Sequence, residues 1–235
     1  MFEQPARATE SVPPFPALIA VGGDAVPGRE RAYRAFLALR RAVYVEENGY
    51  LDADAVPGEF ESDPDDARSL AFAVLGEQHG RVRVLAALRL IVKGFQPVRG
   101  DDRLPVERYW PAEFTFRPAP KPSVEVSRLI ARDADRRKQH EYAVALYTAV
   151  MSFVDEAGVN HAYGLVDPIL ERMLTSTFTL ERVGEPRWID QYHSENVAIE
   201  IAVPHVRRLS RWLPGRYETA GEILVGFGVR RDAAA

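Results

Sequence analysis

The chain contains no cysteine, which removes disulfides, thiolate nucleophiles and Cys-ligated zinc, and fits a cytoplasmic setting. Histidine is scarce and scattered: His79, His140, His161, His193 and His205 share no spacing that a metal site or a catalytic triad needs. There is no glycine-rich phosphate loop, no Gly-x-Ser-x-Gly elbow and no His-Glu-x-x-His segment. The usual nucleotide-binding, hydrolase and metalloprotease readings therefore fall away, and no metal is expected. No apolar run approaches the ~18 residues that span a bilayer, and no signal peptide is visible. Excess positive charge is lacking as well. A formal net charge of −4 over 235 residues, without a basic stripe interleaved with aromatics, gives no reason to expect nucleic acid as a partner.

What is present is an ordinary globular composition, 46% hydrophobic and 27% charged, with length enough for one well-filled domain. Residues 1–28, punctuated by Pro5, Pro13, Pro14, Pro16 and Pro27, read as a flexible arm. The main domain is expected over 29–205, with a basic helix and tail at 206–235 packed on it. From Arg29, Ala32, Phe36, Leu39 and Val43 recur at helical spacing with Arg31, Arg34 and Arg41 outward, and Gly49 can end that helix. The next segment reverses the charge: Asp52, Asp54, Glu59, Glu61, Asp63, Asp65 and Asp66 crowd one loop. Such a loop could be solvated, hold a metal or receive a cationic ligand, and its spacing is not that of a calcium-binding loop.

Two apolar runs at 68–76 and 81–93 form a hairpin, the second carrying Arg89 alone among Leu85–Val92. A long proline-rich connection over 94–122 leaves room for a short helix near 106–109. A helix over 141–156, with Ala145, Leu146, Ala149, Val150 and Phe153 on one face, a strand near 161–166, a helix opened by Asp167-Pro168, and strands near 187–192 and 197–203 complete the order. This order implies a mixed sheet with helices on both faces and a ligand cleft near the end of its central strand.

That central strand is Ser123–Ala131, and it carries two charges. A buried carboxylate or guanidinium needs a partner or a task, because unpaired burial costs more than strand propensity returns. Strict alternation puts Glu125 and Ser127 on one face and Val126 with Arg128 on the other, so only a bulge or strong twist brings Glu125 and Arg128 to one site. A purely structural ion pair is an equal reading of the spacing alone.

Taken in order, Arg40, Tyr44, Tyr50, Glu61-x-Asp63-x-x-Asp66, Arg89 and Glu125-x-Ser127-Arg128 resemble the acyl-homoserine lactone (autoinducer) synthases and their relatives, the N-acyl amino acid synthases and exosortase-associated acyltransferases. The likeness spans roughly 30–203, with Leu180–Pro186 also family-like. It implies a GNAT-like α/β fold, a mixed, mostly antiparallel central sheet with helices on both faces. It also implies transfer of a fatty-acyl group from an acyl-carrier-protein or acyl-CoA thioester to the α-amino group of an amino-acid-derived acceptor.

By resemblance, Glu125, Ser127 and Arg128 fall on the catalytic motif, Arg40, Asp63, Asp66 and Arg89 on the acceptor site, and Tyr44, Tyr50 and Val126 on the acyl and pantetheine cleft. The acceptor implied is S-adenosylmethionine; no cofactor is expected to be bound. The tyrosines at 44 and 50 stand where lactone synthases usually carry phenylalanine and tryptophan, which opens the alternative of a free amino acid. The segment Arg136-Arg137-Lys138 lacks the glycine of an acetyl-CoA pyrophosphate loop and instead offers cations to an acidic acyl carrier protein. A noncatalytic module binding an acyl chain or its carrier is the reading of another class.

Overall fold

In the computed structural model the described residues are 14–78, 81–94, 101–176 and 178–203. They form one nine-stranded sheet, ordered β2-β1-β3-β4-β5-β6-β9-β7 with β8 paired to β9. The strands are β1 (Phe15–Val21), β2 (Asp24–Ala25), β3 (Ser69–Gln78), β4 (Arg81–Lys93), β5 (Ser123–Ala131), β6 (Ala162–Val166), β7 (Leu180–Arg182), β8 (Arg187–Ile189) and β9 (Ser194–Ile201). The helices are α1 (Glu30–Arg41), α2 (Pro105–Tyr109), α3 (Pro111–Phe114), α4 (Arg136–Glu156) and α5 (Pro168–Thr175). Every pairing is antiparallel except β5 with β6.

β4 shows why this sheet is covered on both sides. Ala86, Leu88, Leu90 and Val92 enter one core with Leu146, Val150 and Phe153 of α4. Ala87 of the opposite face packs with Ala32 and Phe36 of α1, and Ile91 with Val106 of α2, Trp110 and Phe114 of α3. A strand buried on both faces reads as a continuous apolar run, and Arg89 must share the face covered by α1 and α2.

Three expectations need correction. The arm expected over 1–28 is not an arm from Phe15 onward: Ala17, Leu18, Ile19 and Ala20 are buried in β1, which pairs with β3. Five successive apolar residues outweigh the flanking prolines, and Pro16 is tolerated near the strand's start. The inward stripe of α1 runs through Ala32, Phe36 and Arg40, and Leu39 is only half-buried. The chain then continues as a π-helical segment over Ala42–Glu47, which rotates the residues beyond Arg41 relative to the α-helical stripe. α4 begins at Arg136, five residues before the periodic signal, because the Asp135 carboxylate accepts from Arg137 N–H and starts it; Ala145 faces solvent. The basic helix and tail expected at 206–235 lie outside the described residues.

Candidate active site

β5 and β6 are parallel neighbours over only three residue pairs, Val124–Ala162, Glu125–Tyr163 and Val126–Gly164. Past Val126 they have no register. The edge of β5 over Ser127–Leu129 and the end of β6 at Leu165–Asp167 become the walls of a cleft of about 240 Å³. Its other walls are Val43, Tyr44 and Asn48 from the end of the first helical segment, Tyr50, Leu170 of α5, and Tyr192, Ser194 and Asn196 around the start of β9.

The second local feature is a bulge. Ala87 pairs with Ile130 and Arg89 with Ser127, so Arg128 and Leu129 together oppose Leu88. Arg128 takes the left-handed conformation, φ 55°, which costs a non-glycine residue roughly 1–2 kcal/mol. The extra residue inverts the alternation and turns Arg128 onto the face that holds Glu125 and Ser127. The fork that simple alternation left open is resolved by this single backbone irregularity.

Arg128 is thereby delivered to an ion-pair cluster spread over five elements. Its Nη2 donates to Glu61 Oε1 at 3.0 Å and to Asp63 Oδ2 at 3.2 Å. Arg40 pairs with Glu61 through Nε and with Asp66 Oδ1 through Nη1 at 2.7 Å. Arg89 Nη1 reaches Asp63 at 2.5 Å and Asp66 at 3.0 Å, and its Nη2 donates to Ser127 Oγ at 3.2 Å. Three guanidiniums face three carboxylates, so the cluster is neutral overall; that balance makes it tolerable with Arg40 0% and Arg89 2% exposed.

Burial works to raise the carboxyl pKa of Glu61 and Asp63, and the surrounding arginines outweigh it, so both sit below the ordinary carboxylate range. Conversely, Arg128 is held firmly charged by Glu61 and Asp63 against the penalty of its burial. The Asp63-to-Asp66 turn is locally built for this: each side chain accepts a backbone N–H of that turn, a capping box around Pro64. The acidic loop thus divides. Glu61, Asp63, Asp65 and Asp66 serve arginines, Asp65 those at 68 and 108, while Asp52, Asp54 and Glu59 are exposed.

Glu125 stands apart. It is 2% exposed and lines the cleft, yet among the described residues it forms no ion pair. Its Oε2 accepts from the backbone N–H of Val106, in the first turn of α2, at 2.8 Å. Burial pushes its pKa up to about 8, an effect that the Val106 hydrogen bond only partly offsets.

Of the residues singled out in the sequence, the structure brings Arg40, Asp63, Asp66, Arg89, Ser127 and Arg128 into one network and sets Glu125, Val126, Tyr44 and Tyr50 around the adjoining cleft. The Arg128 guanidinium lies over the Tyr44 ring at 4.9 Å and near Tyr192 at 5.8 Å. Arg136, Arg137 and Lys138 are exposed in the first turn of α4, outside the cleft lining. Sequence reasoning does not find Tyr192, Asn196 or the Val106 amide. They come from a 3-10 turn, a strand start and a helix start whose local sequence carries no sign of cleft exposure.

The parallel β5–β6 pair inside a mostly antiparallel sheet, with helices on both faces, is a GNAT-like fold. No protein-family model and no curated protein matches the chain. Among solved structures it is similar to BjaI, a CoA-dependent acyl-homoserine lactone synthase solved with SAM and isopentyl-CoA. That match has 18% identity and a TM-score of 0.62 over 90% of this chain and 99% of that one. It is also similar to FeeM, an N-acyl amino acid synthase from uncultured soil microbes, at 14% identity and a TM-score of 0.59 over 84% and 93%. TofI in a ternary complex with an inhibitor and MTA is 19% identical, with a TM-score of 0.55 over 74% and 85%. At these identities the shared property is the fold.

Proposed function

We propose that the protein is an N-acyltransferase that forms an amide between an acyl thioester and the α-amino group of an amino-acid-derived acceptor. Acyl-homoserine lactone synthesis from S-adenosylmethionine is the activity we favour. The observation that carries this reading is Glu125, a buried carboxyl in a cleft where, among the described residues, β5 has no strand partner on the β6 side past Val126.

An α-amino group titrates at about 8 and must shed a proton before it can attack a carbonyl carbon. A carboxyl raised to about 8 is matched to that task, since proton transfer between the two is nearly thermoneutral. The amine nitrogen gives its proton to Glu125 and bonds to the thioester carbon. The carbonyl oxygen becomes an oxyanion that backbone N–H groups at the open edge of β5 can receive. Collapse breaks the C–S bond, the nitrogen sheds its second proton to the departing thiolate, and Glu125 returns the first to solvent. Arg128 and Ser127 act by holding the walls of this site, with Arg40, Asp63, Asp66 and Arg89 fixing the acceptor side. Tyr44, Tyr50 and Val126 border the acyl and pantetheine path. The BjaI and TofI complexes, which hold SAM and MTA, support the lactone reading. The likeness to FeeM, together with Tyr44 and Tyr50, supports a free amino acid as acceptor.

For the donor, the amide of Arg137 at the start of α4 is occupied by the Asp135 carboxylate, which disfavours a pyrophosphate there. The exposed Arg136, Arg137 and Lys138 suit the acidic surface of an acyl carrier protein.

The deciding experiment is mass spectrometry of lipid extracts from cells expressing the protein or its Glu125→Gln variant, which keeps an oxygen for the Val106 amide but removes the base. The expected result is an N-acyl product with the first and at least a roughly 100-fold loss with the second. The head group of that product names the acceptor. Equal yields from the two would overturn the assignment of the base, and no product from either would overturn acyl transfer.

A further inference from the structure

Three successive residues of α2 reach polar partners outside the helix: the Val106 amide goes to Glu125, the Glu107 side chain to Lys93 of β4, and the Arg108 guanidinium to Asp65. The middle contact lies outside the cleft lining. Lys93 and Glu107 are 5% and 3% exposed, and Lys93 Nζ stands 2.5 Å from Glu107 Oε1. The same Oε1 accepts from Ala119 N–H at 3.0 Å, and Oε2 accepts from Leu104 N–H at 2.8 Å. One carboxylate therefore gathers the residue before α2, the segment leading into β5 and the end of β4. In register, Lys93 is opposite Ser123 and Ile91 is opposite Glu125. The pair thus fastens α2 to the sheet one side-chain repeat from Glu125, on the same face.

A buried ion pair is seldom the most stable filling for a core position; apolar residues of similar volume often serve as well or better. What this pair provides is direction. Leu104, Val106 and Trp110 hold the α2 region against Ile91 and Tyr163 by apolar packing, which is non-directional, whereas the bonds of Glu107 fix the turn about its axis. The contact that depends on that rotation is the one to Glu125: Val106 is fully buried, and among the described residues its amide is the hydrogen-bond donor to the Glu125 carboxylate. Beyond burial, which dominates, the groups acting on Glu125 are this amide, Asp65, Arg108 of α2 and Arg89 of β4. Tyr163 of β6 lies opposite it in register, and Arg128 of its own strand is engaged by Glu61 and Asp63.

We propose that Glu107, braced by Lys93, is a positioning residue for Glu125: it holds the α2 turn so that the Val106 amide stays on the Glu125 carboxylate and favours its ionised form. The inference rests on the acyl-transfer reading for the task of Glu125, and it gives a role to two residues that lie outside the cleft. With the amide in place, the carboxylate forms near neutral pH and can take the proton of an amine. With the turn loose, burial acts without that opposition and the base is available only at higher pH.

The test reads Glu125 itself. Carbon-13 titration of the side-chain carboxyls in the full-length protein, with the Glu125 signal identified by its absence in Glu125→Gln, should give a midpoint of about 8 in the wild type. In Glu107→Gln, whose single side-chain oxygen cannot serve both amides and Lys93, the midpoint should rise by about one unit, a roughly tenfold change in the acid equilibrium. Lys93→Met combined with Glu107→Leu removes the same ties without leaving a lone buried charge, and should give the same rise if Glu107→Gln does not fold. Leu146→Ala, in the core on the opposite face of the sheet, should lower the melting temperature and leave the midpoint where it was. An unmoved midpoint in the Glu107 variants, or an equal rise in Leu146→Ala, overturns the proposal and leaves a purely structural ion pair. The pH midpoint of the amide-forming rate should move up with Glu125 while KM for the acyl thioester stays unchanged. If the Glu125 midpoint moves but no amide forms with any acceptor, the acyl-transfer reading fails and the positioning assignment stands. If amide forms and the midpoint does not move, acyl transfer stands and the positioning assignment fails.

Discussion

Glu125 and Arg128 lie three positions apart in one strand and meet opposite electrostatic fates. Arg128 is paired with carboxylates, and Glu125 is buried without an ion pair among the described residues, its carboxylate accepting from one backbone amide. The consequences for pH have opposite signs. Glu125 binds its proton more tightly folded than unfolded, so its contribution to stability is complete below about 4.5 and is lost as pH rises through about 8. Glu61 and Asp63, held low by arginines, contribute stability above the ordinary carboxylate range and lose it as pH falls. Thermal melts between about pH 5 and 9 should therefore show the wild type losing stability relative to Glu125→Gln as pH rises. If the protein forms amides as proposed, the rate should climb through about pH 8 as the carboxylate appears. A flat difference between the two melting curves would remove the buried-acid assignment.

Arg40 is the opposite kind of residue, a buried charge whose partners are stranded if it leaves. Arg40→Met should destabilise by roughly 3–5 kcal/mol, because Glu61 and Asp66 lose a buried partner. For a chain of this size that lowers the melting temperature by roughly 10 °C, readable by calorimetry.

Among the elements, α5 shows how a short helix is placed without a deep core of its own. Asp167 accepts from Ile169 N–H at 2.7 Å and Leu170 N–H at 2.9 Å, and Pro168 presets the first helical residue. Asp167→Ala should cost about 1 kcal/mol in denaturant unfolding. Because Asp167 and Leu170 also line the cleft, the same variant should weaken acyl-thioester binding; unchanged affinity would show that α5 holds its place by packing alone. The Asp-Pro pair is plain in the sequence, as are the hairpin and β5, because caps and apolar runs are local signals. The bulge at Arg128 is not, since any residue can occupy a bulge and the deciding term is the register against β4.

Among the described residues, charge is segregated rather than merely balanced. Glu61, Asp63 and Asp66 of the acidic loop and the guanidiniums of Arg40, Arg89 and Arg128 cancel in the interior, while the first turn of α4 leaves three cations exposed. If those cations receive a carrier protein, reversing Arg136, Arg137 and Lys138 to glutamate should slow transfer from acyl carrier protein by about tenfold or more at low salt. Transfer from acyl-pantetheine should be unaffected, and the wild-type rate with the carrier should fall as salt screens the encounter. Equal slowing with both donors would place the effect in the fold of α4.

By itself the sequence determined the order of the main elements from α1 to α5, the hairpin of β3 and β4, and the classes of site whose motifs the chain lacks. These follow from periodicity, caps and composition, which act over a few residues. Only the tertiary structure decided that Phe15–Val21 is an inner strand of the sheet, that Arg40 points inward with Phe36, and that Arg128 joins the face of Glu125. It alone showed that, among the described residues, the buried Tyr147 hydroxyl has no hydrogen-bond partner. Each of those depends on what a distant segment places opposite: a strand edge, a carboxylate, a register shift or an empty space, none of which has a signature in the residues nearby.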